Sequence, residues 1–145
     1  MRLRVLVILL ALVSSIASAR VGESGRRCEQ RYGAPVRTSD NGSLVTYKSH
    51  GLSIVVHFTG GTADMLSFHK LPLGIEEPPP PFTDAEVRKL LEENGGERLW
   101  ETGAATTSST AWRTGDGALR AILDVATAHL IIYTATFAEA VGAGS

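Results

Sequence analysis

Four histidines, His50, His57, His69 and His129, are the side chains of this chain best suited to metal or acid–base chemistry. His57 and His69 fall in two stretches that read as paired strands. Alternation along them sets His57 opposite Met65 and His69 opposite Ser53, about four residues or roughly 13 Å apart. Two ligands of one zinc must each come within roughly 2.1 Å of it, so this spacing predicts no shared metal. Spacings of the HExxH and CxxC kind do not occur either. The serines and threonines of 106–110 lack the G-x-S-x-G elbow that would present a nucleophile, and they read as a polar hairpin loop. Glu76-Glu77 and Glu92-Glu93 are neighbours in sequence rather than carboxylates facing each other across a cleft. Gly60-Gly61 and Gly95-Gly96 stand without the other residues of a phosphate-cradling loop. These residues predict no catalytic centre, no metal and no cofactor.

Recognition is the remaining chemistry, and Trp100, Trp112 and Tyr47 are the candidate partner-binding residues. Each indole has two readings. Buried, it supplies the large apolar area that a thin core needs; exposed on a sheet face away from the helices, it marks a binding hot spot. Cys28 is the single cysteine, so an intramolecular disulfide is ruled out. It reads either as a small apolar residue on a short helix or as a reactive or intermolecular thiol.

The elements that must position these residues are legible from periodicity. Thr83 and Glu86 form a T-x-x-E capping box, and Phe82 with Val87 forms the accompanying hydrophobic staple, so a helix is predicted from Thr83. Val87, Leu90 and Leu91 give it one apolar stripe, and Asn94-Gly95-Gly96 ends it. Stretches 98–102, 110–114, 118–125 and 129–134 are short, rich in β-branched and aromatic residues, and read as strands. In the first half, 23–32 is a short polar helix candidate, and 44–48, 52–58 and 63–70 read as strands. Gly60-Gly61 closes the last hairpin, where a three-residue loop or a bulge would put Leu66 and Phe68 on the same face as Val56 and Ile54.

Between the halves, 71–81 contains four consecutive prolines, Pro78 to Pro81, which predicts a semi-rigid polyproline linker. Aligning the halves brings Tyr47 onto Trp112 and Phe68 onto Tyr133, each pair of aromatics in one half being 21 residues apart. The expected fold is therefore α+β: two α-then-β units, 20–70 and 82–145, joined edge to edge. Together they would make one compact two-layer sandwich, an antiparallel sheet with the helices on one face.

Residues 1–19 set the expected address. Arg2 and Arg4 precede an apolar run from Val5 to Val13, and Ala17-Ser18-Ala19 ends it with A-x-A spacing. This is the pattern of a secretory signal peptide cleaved after Ala19, and the run is too short for a stable membrane anchor. Without Arg2 and Arg4 the formal net charge moves from −1 to −3, which gives no basic footprint for nucleic acid. The residues before Cys28, Gly25-Arg26-Arg27, do not make a lipobox.

Val21-Gly22-Glu23, Arg31-Tyr32-Gly33-Ala34-Pro35, Tyr47, the strand 52–58, Gly61 and Leu66-Ser67-Phe68 carry a family resemblance. This half of the processed chain resembles the small periplasmic domain of outer-membrane assembly accessory proteins of the SmpA/OmlA (BamE) type. In its tandem α/β architecture the chain is similar to secreted β-lactamase-inhibitor proteins. The first likeness implies an envelope role; the lipid-bearing N-terminal cysteine of that family has no counterpart here, so membrane tethering is not implied. The expected function is a secreted or periplasmic, non-enzymatic domain that binds another envelope or secreted protein through its open sheet face. The alternative is a small-ligand binder or small enzyme whose site is assembled from residues scattered in sequence.

Overall fold

The structure of the protein is a computed structural model that describes residues 20–142. The leader read at 1–19 lies outside the described residues. Helix α1 (Gly25–Tyr32) leads into strands β1 (Arg37–Thr38), β2 (Leu44–Ser49), β3 (Leu52–Thr59) and β4 (Thr62–Lys70). Helix α2 (Asp84–Gly95) is followed by β5 (Trp100–Ala105), β6 (Ser109–Thr114), β7 (Leu119–Asp124), β8 (His129–Thr134) and helix α3 (Ala135–Gly142). All eight strands form one antiparallel sheet in the order β1-β2-β3-β4-β8-β7-β6-β5.

Local chemistry explains most of these boundaries. The Thr83 side chain accepts the Glu86 backbone N–H, and the Glu86 carboxylate accepts the Thr83 N–H at 2.7 Å, so the first turn of α2 is capped from both sides. The turns at His50-Gly51 and Gly60-Gly61 need left-handed backbone, with φ of 51° and 74° in the first and 59° and 79° in the second. Such turns match the twist of the strands they join. In β3 and β4, Ile54 pairs with Phe68 and Val56 with Leu66, and a bulge follows at His57/Phe58. The pleat therefore sends Ile54, Val56, Leu66 and Phe68 to one face, where each is at most 1 % exposed.

That inner face, extended by Tyr47, Leu130, Ile132 and Ala121, receives Cys28 from α1 and Val87 and Leu91 from α2 in a continuous core. Residues 71–81 carry neither helix nor strand between the two halves of the sheet.

The expected fold class needs correction. The architecture is a single eight-stranded antiparallel sheet with three short helices, not two α-then-β units with their helices on one face. Helix α3, unanticipated in the sequence, lies across the other face, where the Phe137 ring sits 5.3 Å from that of His57 and 6.1 Å from that of Tyr133. The proposed superposition of halves also breaks at its second aromatic pair. Phe68 is in the core opposite Leu130, whereas Tyr133 is opposite Met65 and points outward. A one-residue difference in strand phase reverses every side chain, and a match of aromatic spacing does not detect it.

Candidate functional site

The outer face of the sheet is built in three rows that cross the strands. Ser53, His69, His129 and Asp124 are successive register partners on β3, β4, β8 and β7. The next row is Thr46, Val55, Ser67, Ile131, Ile122 and Ala111. A third contains His57, Met65, Tyr133, Arg120 and Arg113. An aliphatic band of Val55, Ile131 and Ile122 thus runs between two polar rows, interrupted by the Ser67 hydroxyl. Ile122 is 40 % exposed, in a position where a one-sided buried strand would carry a polar residue. Beside the band, Tyr133, Ile122, Arg120 and Arg113 line a shallow depression of about 280 Å³.

The polar rows are hydrogen-bonded rather than merely solvated. Ser67 Oγ and His129 Nε2 form a short hydrogen bond, and the rings of His129 and His69 stack with centroids 5.3 Å apart and 26° between their planes. Burial, with His69 alongside, lowers the His129 pKa below its ordinary value, and Asp124 opposes the shift. At the other end, His57 Nδ1–H donates to Asp64 Oδ1 at 2.5 Å, and Thr59 Oγ1 donates to Asp64 Oδ2 at 2.7 Å. His50 stands apart in its turn, its Nδ1 2.7 Å from Ser49 Oγ. His57 does lie opposite Met65 and His69 opposite Ser53, the separation expected from alternation.

The juxtaposition of His69 with His129 was not anticipated, because it arises from the β4–β8 pairing of segments some sixty residues apart. Nothing local in either segment announces that pairing. Among the described residues, no group of three or more His, Cys, Asp and Glu side chains is arranged to hold a metal ion.

The inner face carries a second concavity. Between α1 and α2 the floor of Ile54 and Phe68 is left open beneath Tyr32, Phe82 and Leu90, forming a cleft of about 310 Å³. Lys70 closes one side: its ammonium donates to both Glu86 carboxylate oxygens at 2.8 and 2.9 Å and to the Pro81 carbonyl at 3.1 Å, and lies 5.4 Å from the centre of the Phe82 ring. The bond from Lys70, followed by that from the Thr83 backbone, holds the Glu86 carboxyl below its usual pKa. Tyr32, tilted against Tyr47 with ring centroids 5.6 Å apart, has its phenol pKa raised by burial.

The three residues selected for recognition all belong to the inner face. Tyr47 is 1 % exposed in the core, its phenol pushed up to about 12 by burial, so it presents no surface to a partner. Trp112 pairs with the buried Ala121, and Trp100 pairs with the buried Thr114. Both indoles are half-buried and pack against the core. Trp100 Nε1–H donates to the Leu91 carbonyl at 2.7 Å, satisfying an acceptor in the last turns of α2. Cys28 is fully buried, and desolvation first, then Glu23, raises its thiol pKa to about 11, leaving it the apolar role. Comparison with protein-family models, curated proteins and solved structures returned no match.

Proposed function

We propose that this protein is a secreted or periplasmic, non-enzymatic domain that binds another envelope or secreted protein through the outer face of its sheet. The observation that carries the reading is the aliphatic band of Val55, Ile131 and Ile122 set between polar rows. An apolar centre with a hydrogen-bonding rim is the usual anatomy of a protein interface. Beside the part of this face that α3 covers through Phe137, the surface holds a shallow depression of about 280 Å³ lined by Ile122, Arg120 and Tyr133, whereas a catalytic pocket gathers converging polar groups in an enclosed cleft. The leader at 1–19 supplies the address, and the likeness to envelope assembly accessory domains supports a partner in the same compartment.

A second reading has one specific observation behind it. The cleft beneath Tyr32 and Leu90 is large enough for a small apolar ligand, which would make the inner face the binding site.

Affinity capture from the native envelope separates the two. Ile122→Glu places a charge in the outer band at an exposed position and should abolish capture of the partner, while Leu90→Trp fills the inner cleft and should leave capture unchanged. Capture lost in Leu90→Trp and kept in Ile122→Glu would transfer the site to the cleft. Equal capture by both variants and the unaltered chain would overturn the outer-face reading.

A further inference from the structure

The cross-strand pair His69 and His129 brings two imidazoles together on the outer face, at the polar edge of the aliphatic band. We propose that these two imidazoles form a surface site for a divalent late first-row metal ion, with Cu²⁺ the strongest occupant. The two residues are direct register partners on β4 and β8, both directed outward, with ring centroids 5.3 Å apart. Directly opposed residues of an antiparallel pair hold their Cβ atoms roughly 4.5–5.5 Å apart. Two imidazole nitrogens each about 2.0–2.1 Å from one ion lie within that reach once one ring rotates.

The pair is built asymmetrically in a way that suits this. His69 is exposed and stacked on its partner, while His129 is half-buried and hydrogen-bonded to Ser67 at Nε2. In the tautomer that donates Nε2–H to the Ser67 hydroxyl, Nδ1 of His129 keeps the lone pair that binds the ion. An outer hydrogen bond of this kind fixes the tautomer and orientation of a ligating histidine. Asp124, the register partner of His129 on β7, adds a negative charge beside the ion without being a ligand to it. With two protein ligands the other coordination positions fall to water or to a partner, consistent with the absence of any larger ligand group among the described residues. Imidazole selects against Mg²⁺ and Ca²⁺, and the order of affinities places Cu²⁺ above Ni²⁺ and Zn²⁺.

The test is calorimetric titration of the purified chain with Cu²⁺, Zn²⁺ and Mg²⁺, with electron paramagnetic resonance of the Cu²⁺ form. The expected result is one Cu²⁺ per chain bound through two nitrogens, weaker Zn²⁺ binding and none for Mg²⁺. His69→Ala and His129→Ala should each weaken Cu²⁺ binding at least tenfold, and Ser67→Ala should weaken it to a smaller extent. His50→Ala and His57→Ala should leave it unchanged. Circular dichroism of each variant separates loss of a ligand from loss of fold, since His69→Ala changes an exposed side chain. Stoichiometric Cu²⁺ retained in folded His69→Ala, or an isotherm in the unaltered chain no tighter than that of isolated surface histidines, would overturn the site. Neither result depends on finding the protein partner.

Discussion

His129 shows how far one side chain can be set by neighbours that its own segment does not contain. Burial removes water from its imidazolium, and the stacked His69 makes a second positive charge unwelcome, so the folded protein takes up this proton at a lower pH than the unfolded chain, whose value is near 6.5. In the window below 6.5 the unfolded state therefore binds more protons than the folded state, and stability falls as pH falls through it. We expect the denaturation midpoint to drop between pH 7.5 and 5, and His129→Gln to remove part of that drop. An equal drop in the variant would place the acid sensitivity elsewhere. The direction is opposite to that of a histidine stabilised by a salt bridge, so the two cases are separable in a single titration. The tryptophans teach a related lesson at this scale. Their size was visible in the sequence as potential binding area, but strand phase decides which face they take, and Trp100 spends its indole N–H on the Leu91 carbonyl instead.

Among the elements, α2 is the one whose start, stripe and end the sequence states most fully, and the structure adds why its end requires glycine. A Cβ on Gly95 would stand 2.5 Å from Trp100 Nε1, inside any tolerated contact, although a helical alanine is intrinsically favoured over glycine by about 1 kcal/mol. Gly95→Ala should therefore destabilise the protein by roughly 1–3 kcal/mol, as overpacking does, and break the indole hydrogen bond. A changed tryptophan emission with a lower denaturation midpoint is the expected outcome; a rise in midpoint would show that the indole moves aside freely. Strands with clean alternation and glycine turns were also legible: the shared face of β3 and β4 follows from Ile54, Val56, Leu66 and Phe68, while the structure decides for a bulge at His57/Phe58 over a three-residue loop. Helix α3 was not, because its start carries a lone Thr134 cap, whose hydroxyl accepts the Phe137 N–H at 3.0 Å, with no Glu or Gln at 137 to complete a box, and it follows β8 without a break in hydrophobicity. Its docking through Phe137 onto His57 and Tyr133 is a tertiary choice. The two-residue β1 is likewise too short to have a period.

At the scale of the whole molecule, the decisive contact is the β4–β8 seam, where the two halves of the linker-divided chain become neighbours in one sheet. Leu66, Phe68, Leu130 and Ile132 meet there in two directly opposed pairs, each residue at most 1 % exposed. A core placed on the seam belongs to both halves. Sequence alone suggested edge-to-edge joining but had no means of choosing the joining strands, since loop closure over the proline-rich 71–81 permits several. The seam predicts that the chain unfolds as one unit despite its linker. Leu130→Ala, which removes buried methyl groups from the second half, should destabilise by about 2–5 kcal/mol. It should lower the tryptophan fluorescence midpoint, which reports Trp100 and Trp112, together with the hydrogen-exchange protection of β2 and β3. If the first-half amides keep their protection while the tryptophans report unfolding, the halves are energetically separate and the seam is a docked interface between them. Coincident loss means that the outer face, His69 on one side of the seam and His129 on the other, exists only while the whole sheet is folded.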